Sequence, residues 1–164
     1  MEGSKKLNLG CGQDIKQGYV NADIRKLNGV DIVVDMEKPL PFQNEEFDEV
    51  LMKDSMEHVS WRNIEQLINE VHRILKKGGK LIIQCPDLEE IAKQVILNPD
   101  FKFNELEGYK AISFWVYGEQ NYPENTHKSG FTKPALRKLL ESHGFKIERM
   151  ETGGTNIICE AVKL

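Results

Sequence analysis

No stretch of this 164-residue chain comes near the ~18 consecutive apolar residues that a membrane-crossing helix needs. No membrane association is therefore expected, and Met1-Glu2-Gly3-Ser4 lacks the character of a secretory leader. Cysteine is scarce. Cys11, Cys85 and Cys159 are far apart, odd in number and without a C-x-x-C pair, which argues for reduced thiols in a cytoplasmic protein over disulfides or structural zinc. Positive charge is short as well: 22 Lys and Arg face 26 Asp and Glu, a net charge of −4. With no global basic field to hold a phosphate backbone, no nucleic-acid partner is expected. Internal repeats, low-complexity tracts and linkers are missing, and so is the G-x-G-x-x-G dinucleotide fingerprint. What is there, 40% hydrophobic and 29% charged residues, is enough for a single domain over 1–164 to bury its own core.

Apolar runs that stop abruptly organise the chain. Lys5–Leu9, Tyr19–Ile24, Val30–Asp35, Phe47–Lys53, Lys80–Cys85, Phe145–Glu151 and Thr155–Val162 read as strands, the last two joined by a turn at Gly153-Gly154. Trp61, Ile64, Leu67, Ile68, Val71, Ile74 and Leu75 recur at helical spacing. They predict a core-facing helix capped by Ser60 and stopped by Gly78-Gly79. Further helices are predicted over Leu88–Leu97, ended by Pro99, over Asn104–Tyr117, and from Thr132 and Pro134 up to Gly144. The alternation predicts an α/β fold: a doubly wound, mainly parallel seven-stranded sheet with a C-terminal antiparallel hairpin. Only Gln13–Gly18 separates the first two strands. Parallel strands usually need a dozen or so connecting residues, so the first crossover helix is expected to be shortened to a single turn.

Three of these strands break off at residues that can hold a ligand: the first at Gly10-Cys11-Gly12, the second at Asp23, the third at Asp35. Open α/β sheets bind ligands beyond the carboxyl ends of their strands. Glycines there let the backbone approach closely, and an acid there can hold a ribose or an adenine amine. A nucleoside-containing cofactor is the reading these positions support.

The order of short motifs narrows the choice. Leu7-Asn8-Leu9-Gly10-Cys11-Gly12 is followed by Asn21-Ala22-Asp23-Ile24 and by Val34-Asp35-Met36-Glu37-Lys38-Pro39-Leu40-Pro41-Phe42. Phe47-Asp48, Met56-Glu57-His58, Arg73-Ile74-Leu75-Lys76-Lys77-Gly78-Gly79 and Gly144-Phe145 come after. Over essentially its whole length the chain resembles class I S-adenosylmethionine-dependent methyltransferases, in particular the short single-domain type 11 enzymes. The resemblance implies S-adenosyl-L-methionine as cofactor and a small or medium-sized molecule as methyl acceptor. It places Asn8, Gly10, Cys11 and Gly12 under the methionine and ribose, Asp23 with Ile24 at the ribose hydroxyls, and Asp35 with Met36 at the adenine. Asp54 and Ser55 fall near the sulfonium end. The chain departs from the family pattern at Asn8, where an acid is common, and at Gln13-Asp14, where a third glycine would stand.

Methyl transfer to a hydroxyl or amine needs a proton acceptor, and His58 is the candidate base, with simple packing of the loop as its rival. A metal held by Asp54, Glu57 and His58 is set aside, because adjacent residues rarely converge on one ion without a distant ligand; no metal is expected. His72 and His143 read as helix-face residues. The segment 117–130 is long for a structureless connection and reads as a lid over the acceptor, with Tyr117, Gln120 and His127 as substrate-side residues. Two other classes stay open. One is a noncatalytic subunit of the same fold; the other is a nicotinamide-dependent oxidoreductase, weakened by the missing fingerprint and the lack of room for a substrate domain.

Overall fold

The computed structural model describes residues 4–98, 100 and 102–164. Met1–Gly3 and Pro99, the expected end of one helix, lie outside the described residues. In chain order the elements are β1 (Lys6–Leu9), β2 (Val20–Asp23), β3 (Ile32–Val33), β4 (Phe47–Lys53), a 3₁₀ turn (Met56–His58), α1 (Ile64–Ile74) and β5 (Leu75–Pro86). They continue with α2 (Leu88–Leu97), β6 (Lys102–Phe103), β7 (Leu106–Glu107), α3 (Tyr109–Tyr117), α4 (Lys133–Ser142), β8 (Phe145–Gly153) and β9 (Asn156–Lys163). Seven strands form one sheet in the order β3-β2-β1-β4-β5-β9-β8. The first five are parallel and β9 runs against both neighbours.

This order has a consequence for function. The chain winds outward from β1 through β2 to β3, then returns to the other side of β1 as β4. The strand order therefore reverses at β1, and the carboxyl ends of β1 to β4 share one edge with a crevice between them. Apolar residues at alternate positions hold the sheet: Leu7 and Leu9, then Val50 and Met52, then Leu81, Ile83 and Cys85, all buried. The face of α1 carrying Ile64, Leu67, Ile68, Val71 and Ile74 is buried.

The first crossover is cut down further than expected, since 10–19 contains turns and no helix. Two buried amides do the work of one. Asn21 Oδ1 accepts from Asn8 Nδ2 at 3.0 Å and from the Lys16 N–H at 2.9 Å, while Asn21 Nδ2 donates to the Lys16 carbonyl at 3.0 Å. Asn8 Nδ2 also donates to the Asp14 carbonyl at 2.8 Å. Backbone groups that a helix would have paired are thus satisfied by side chains.

Other boundaries moved for local reasons. Trp61 is 63% exposed and outside the core stripe, because α1 begins at Ile64 with Asn63 rather than Ser60 as its first cap residue. Glu37 causes this: its carboxylate accepts from the Ser60 N–H at 3.0 Å and from Asn63 Nδ2 at 2.9 Å, fixing 60–63 as a turn. The helix ends at Ile74, before the glycines, because Leu75 turns extended and pairs with Phe47. Gly78-Gly79 serve instead a bulge facing Asp48, where the Lys76 ammonium meets its carboxylate at 2.8 Å. The helix expected over 104–117 starts only at Tyr109. Asn104 and Gly108 adopt positive φ (53° and 54°), which turns 102–107 into a small hairpin whose Phe103 stacks on Phe114.

One side chain pins the irregular passage before β4. Arg73 donates to the Phe42 carbonyl at 2.8 Å, the Leu40 carbonyl at 3.0 Å and the Glu70 carboxylate at 2.8 Å, and Glu70 in turn accepts from the Leu40 N–H at 2.7 Å. Arg73→Ala is expected to cost about 2–3 kcal/mol in urea denaturation, because it strands two carbonyls and a carboxylate. A loss below about 0.5 kcal/mol would show that water replaces the guanidinium freely.

Candidate functional site

At the end of β1 the chain turns sharply. Gly10 has φ +76°, and a Cβ built there would lie 2.4 Å from Ser55 Cβ and 3.3 Å from Met36 Cε. Its N–H and that of Cys11 both donate to the Ala22 carbonyl, tying the loop to β2. Two residues on, the Gly12 N–H donates to Asp23 Oδ2 at 2.8 Å. Asp23 Oδ1 accepts from the Arg25 N–H at 2.9 Å and from Arg25 Nε at 3.3 Å. Asp23 is thus buried and ionically partnered, with lone-pair directions left over on both oxygens. The Arg25 guanidinium then lies 3.8 Å from the centre of the Tyr122 ring, a cation–π contact joining the β2 end to the 117–130 loop.

Asp35 stands beyond β3. Its Oδ1 accepts from the Glu37 N–H at 2.9 Å, and Oδ2 meets the Lys38 ammonium at 3.1 Å. Burial raises this carboxyl, but the Glu37 N–H and the Lys38 charge outweigh it and hold the group below the usual carboxylate range. Beyond β4, Asp54 adopts φ +49° and accepts from the Gln84 amide, while Ser55 Oγ donates to the Leu9 carbonyl at 3.1 Å.

These groups wall one cavity of about 540 Å³. Of the residues singled out from sequence, Gly10, Cys11, Gly12, Asp23, Ile24, Asp35, Met36, Asp54, Ser55 and His58 all line it. Asn8 does not; it lies beneath, bracing the loop. Tyr117 and His127 line a second cavity of about 290 Å³ instead. Gln120 lines neither: it is exposed at φ +56°, its N–H bonded to the Asn125 carbonyl at 3.0 Å, closing the turn of the loop. Part of the loop does cover the larger cavity, through Tyr122, Pro123, Glu124, Asn125 and Lys128. Sequence reasoning passed over Arg25, Glu37, Tyr122 and Lys128. Only Tyr122 carried a signal, as an aromatic beside Pro123 in a long polar loop.

The turn after β4 holds the site's ionisable groups. Glu57 is 2% exposed, and its Oε2 has no hydrogen-bond partner among the described residues. Burial pushes its carboxyl up to about 8. His58 Nδ1 lies 3.2 Å from the Thr126 carbonyl. A carbonyl only accepts, so Nδ1 carries the hydrogen and Nε2 keeps its lone pair. Burial pulls His58 below its ordinary value and does the same to His127, whose ring centre is 5.1 Å from that of His58. The N–H groups of Lys128 and Ser129 both donate to the Glu57 carbonyl, docking the loop on this turn. All three cysteines are free and buried, and burial raises each thiol, Cys11 to about 11.

Residues 10–83 match a family model described as a methyltransferase domain; the match runs from the glycine turn after β1 into β5 and takes in the loops beyond β1 to β4 that line the larger cavity. Over these residues the chain is similar to methyltransferase domains. The chain is 35% identical over 84 residues to the uncharacterized protein MJ1123 of Methanocaldococcus jannaschii, a match covering 51% of this chain and 39% of that relative. The match thus spans well under half the relative's length. Among solved structures, the chain is similar to PH0226 of Pyrococcus horikoshii OT3, with a TM-score of 0.68 and 23% identity over 100% of this chain and 84% of that one. It is also similar to the 1,6-didemethyltoxoflavin-N1-methyltransferase of Burkholderia thailandensis, solved with bound 1,6-didemethyltoxoflavin and S-adenosylhomocysteine. There the TM-score is 0.64 and the identity 14%, over 98% of this chain and 71% of that one. At such identities the structural likeness fixes the fold.

Proposed function

We propose that the chain is an active S-adenosylmethionine-dependent methyltransferase that delivers a methyl group to a small or medium-sized acceptor. The observation that carries this reading is the cradle at Gly10, a backbone held so close to Ser55 and Met36 that one added carbon would collide. It opens onto a cavity of about 540 Å³ whose lining includes the Asp23 and Asp35 carboxylates, a volume within the usual range of small-molecule sites.

The side chains fit an adenosine with an attached amino acid. Gly10, Cys11 and Gly12 form the floor. Asp23 has lone pairs beyond those used by Gly12 and Arg25, and a carboxylate bonds vicinal hydroxyls more strongly than a neutral group would. Asp35 and Met36 offer an acceptor and an apolar surface for a flat base; Asp54 and Ser55 stand toward the amino acid end. When bound, S-adenosylmethionine supplies a methyl group on a positively charged sulfur. The chain contributes orientation and the exclusion of water, through Tyr122 and its neighbours over the cavity mouth. His58 Nε2, with Nδ1–H committed to the Thr126 carbonyl, is the lone pair placed to take a proton from a hydroxyl or amine, an effect worth ~10²–10⁴-fold. The acceptor enters by the smaller cavity, past Tyr117 and His127.

Asp35→Ala is expected to weaken S-adenosylhomocysteine about ten- to thirtyfold, about 1.4–2 kcal/mol, in calorimetric titration of a still folded chain. Undiminished affinity would remove Asp35 from the cofactor site.

A further inference from the structure

The objection raised against a metal at the Glu57-His58 turn was the lack of a distant ligand, and the fold supplies one. His127 is carried in by the 117–130 loop, and one ligand atom from each of Glu57, His58 and His127 lies within 4.8 Å of the other two. We propose that these three side chains form a binding site for a first-row divalent metal ion, typified by Zn²⁺, in the wall between the two cavities.

Each ligand is prepared for that role. Glu57 is 2% exposed, and its Oε2 sits buried without any hydrogen-bond partner among the described residues. A buried carboxylate oxygen left unpaired is unusual, and a cation is the partner it lacks. His58 donates its Nδ1–H to the Thr126 carbonyl at 3.2 Å, which fixes the ring and turns the Nε2 lone pair outward. Metal-bound histidines are characteristically held in this way, through the other ring nitrogen. The loop that brings His127 is itself anchored to the turn by the Lys128 and Ser129 N–H groups on the Glu57 carbonyl. Ligands far apart in sequence are thereby locked to one another.

The donor set chooses the ion. Two imidazoles and one carboxylate suit zinc and its first-row neighbours, whereas calcium and magnesium prefer oxygen. Two histidines and a glutamate around zinc also leave a coordination position open, as in sites that bind and polarise a substrate. Here that position has a definite address: His58 lines the larger cavity, and Glu57 and His127 line the smaller. On the methyltransferase reading, an acceptor oxygen or nitrogen held by the ion would stand beside the methyl donor. In the loaded protein His58 is then a ligand rather than a free base.

The test uses Zn²⁺ alone, titrated calorimetrically into the chelator-stripped full chain, with Co²⁺ substitution giving a visible-absorption signature of nitrogen and oxygen ligation. One ion per chain is expected. His127→Ala, a change on a loop that leaves the core intact, should weaken binding at least fiftyfold and remove the Co²⁺ bands, and Glu57→Gln should do likewise. His143→Ala, whose ring bonds the Leu139 carbonyl at the end of α4, should change nothing. Uptake that is equal in wild type and His127→Ala, uptake lost with His143→Ala, or none at all by folded wild type, would overturn the site. Because no methyl donor is present, failure of the methyltransferase reading leaves this result standing, and S-adenosylhomocysteine affinity measured in parallel tells the two apart.

Discussion

Gly10→Ala is expected to weaken S-adenosylhomocysteine binding at least a hundredfold, while Gly18→Ala leaves it unchanged. Both glycines occupy the left-handed region, at φ +76° and +81°, so both substitutions carry the same backbone strain of roughly 1–2 kcal/mol. Their surroundings differ completely. A methyl at Gly18 meets nothing within 4 Å, whereas at Gly10 it would lie 2.4 Å from Ser55 Cβ. Ser55 cannot retreat: it is 2% exposed, and its hydroxyl is tied to the Leu9 carbonyl. The clash must push the 10–12 loop outward, into the space assigned to the cofactor, and it breaks the Gly12 N–H bond to Asp23 on the way. Chemical denaturation should show Gly10→Ala to be the less stable variant by at least about 1 kcal/mol. Equal affinities for the two variants would mean that the loop does not contact the ligand.

Glu57→Gln should remove a loss of stability that the wild type suffers as pH rises toward 8. The folded Glu57 carboxyl titrates at about 8, against an ordinary 4.5, because burial disfavours its charge. Below the ordinary value both folded and unfolded chains hold this proton, and Glu57 contributes nothing. Between the two values only the folded chain keeps it, so stability falls as pH rises and the penalty is complete above about 8. The full penalty is on the order of a few kcal/mol. His58 and His127 act in a different window. Their lowered values make stability rise with pH until the unfolded histidines have lost their protons, and they add nothing above about pH 7. Glutamine keeps the shape and cannot ionise. In urea melts with chelator present, the variant should therefore match or trail wild type near pH 5 and exceed it near pH 9. Parallel slopes across that range would show that Glu57 is already ionised in the folded chain.

Much of this was legible in the residues because period and punctuation agree. Every strand of the large sheet was visible as an apolar run, and the acids that end β2 and β3 were visible as acids. The topology then put Gly10, Asp23, Asp35 and Ser55 on one wall, which follows from all four strands sharing an edge. What stayed hidden depended on contacts distant in sequence. Asn8 read as a cofactor residue because of its place before the glycines, yet its amide is spent on Asp14 and Asn21, which no local pattern reveals. Trp61 fitted the helical stripe, but Glu37, in another part of the chain, captured the backbone that would have begun the helix there. The lid was visible as a loop and illegible in detail. Tyr122, rather than Gln120, reaches the cavity because Arg25 offers its guanidinium as a stacking partner. The joining of His127 to Glu57 and His58 has the same origin, a loop folding back over a turn some seventy residues upstream.

The most direct measurement is a calorimetric titration of the folded full chain with S-adenosylhomocysteine, checked for folding by its melting transition. Saturable heat with one site per chain, lost in Gly10→Ala and kept in Gly18→Ala, is the predicted result. A folded wild-type chain that gives no heat, and no rise in melting temperature with excess ligand, would contradict the assignment of the crevice beside β1 to an adenosine cofactor.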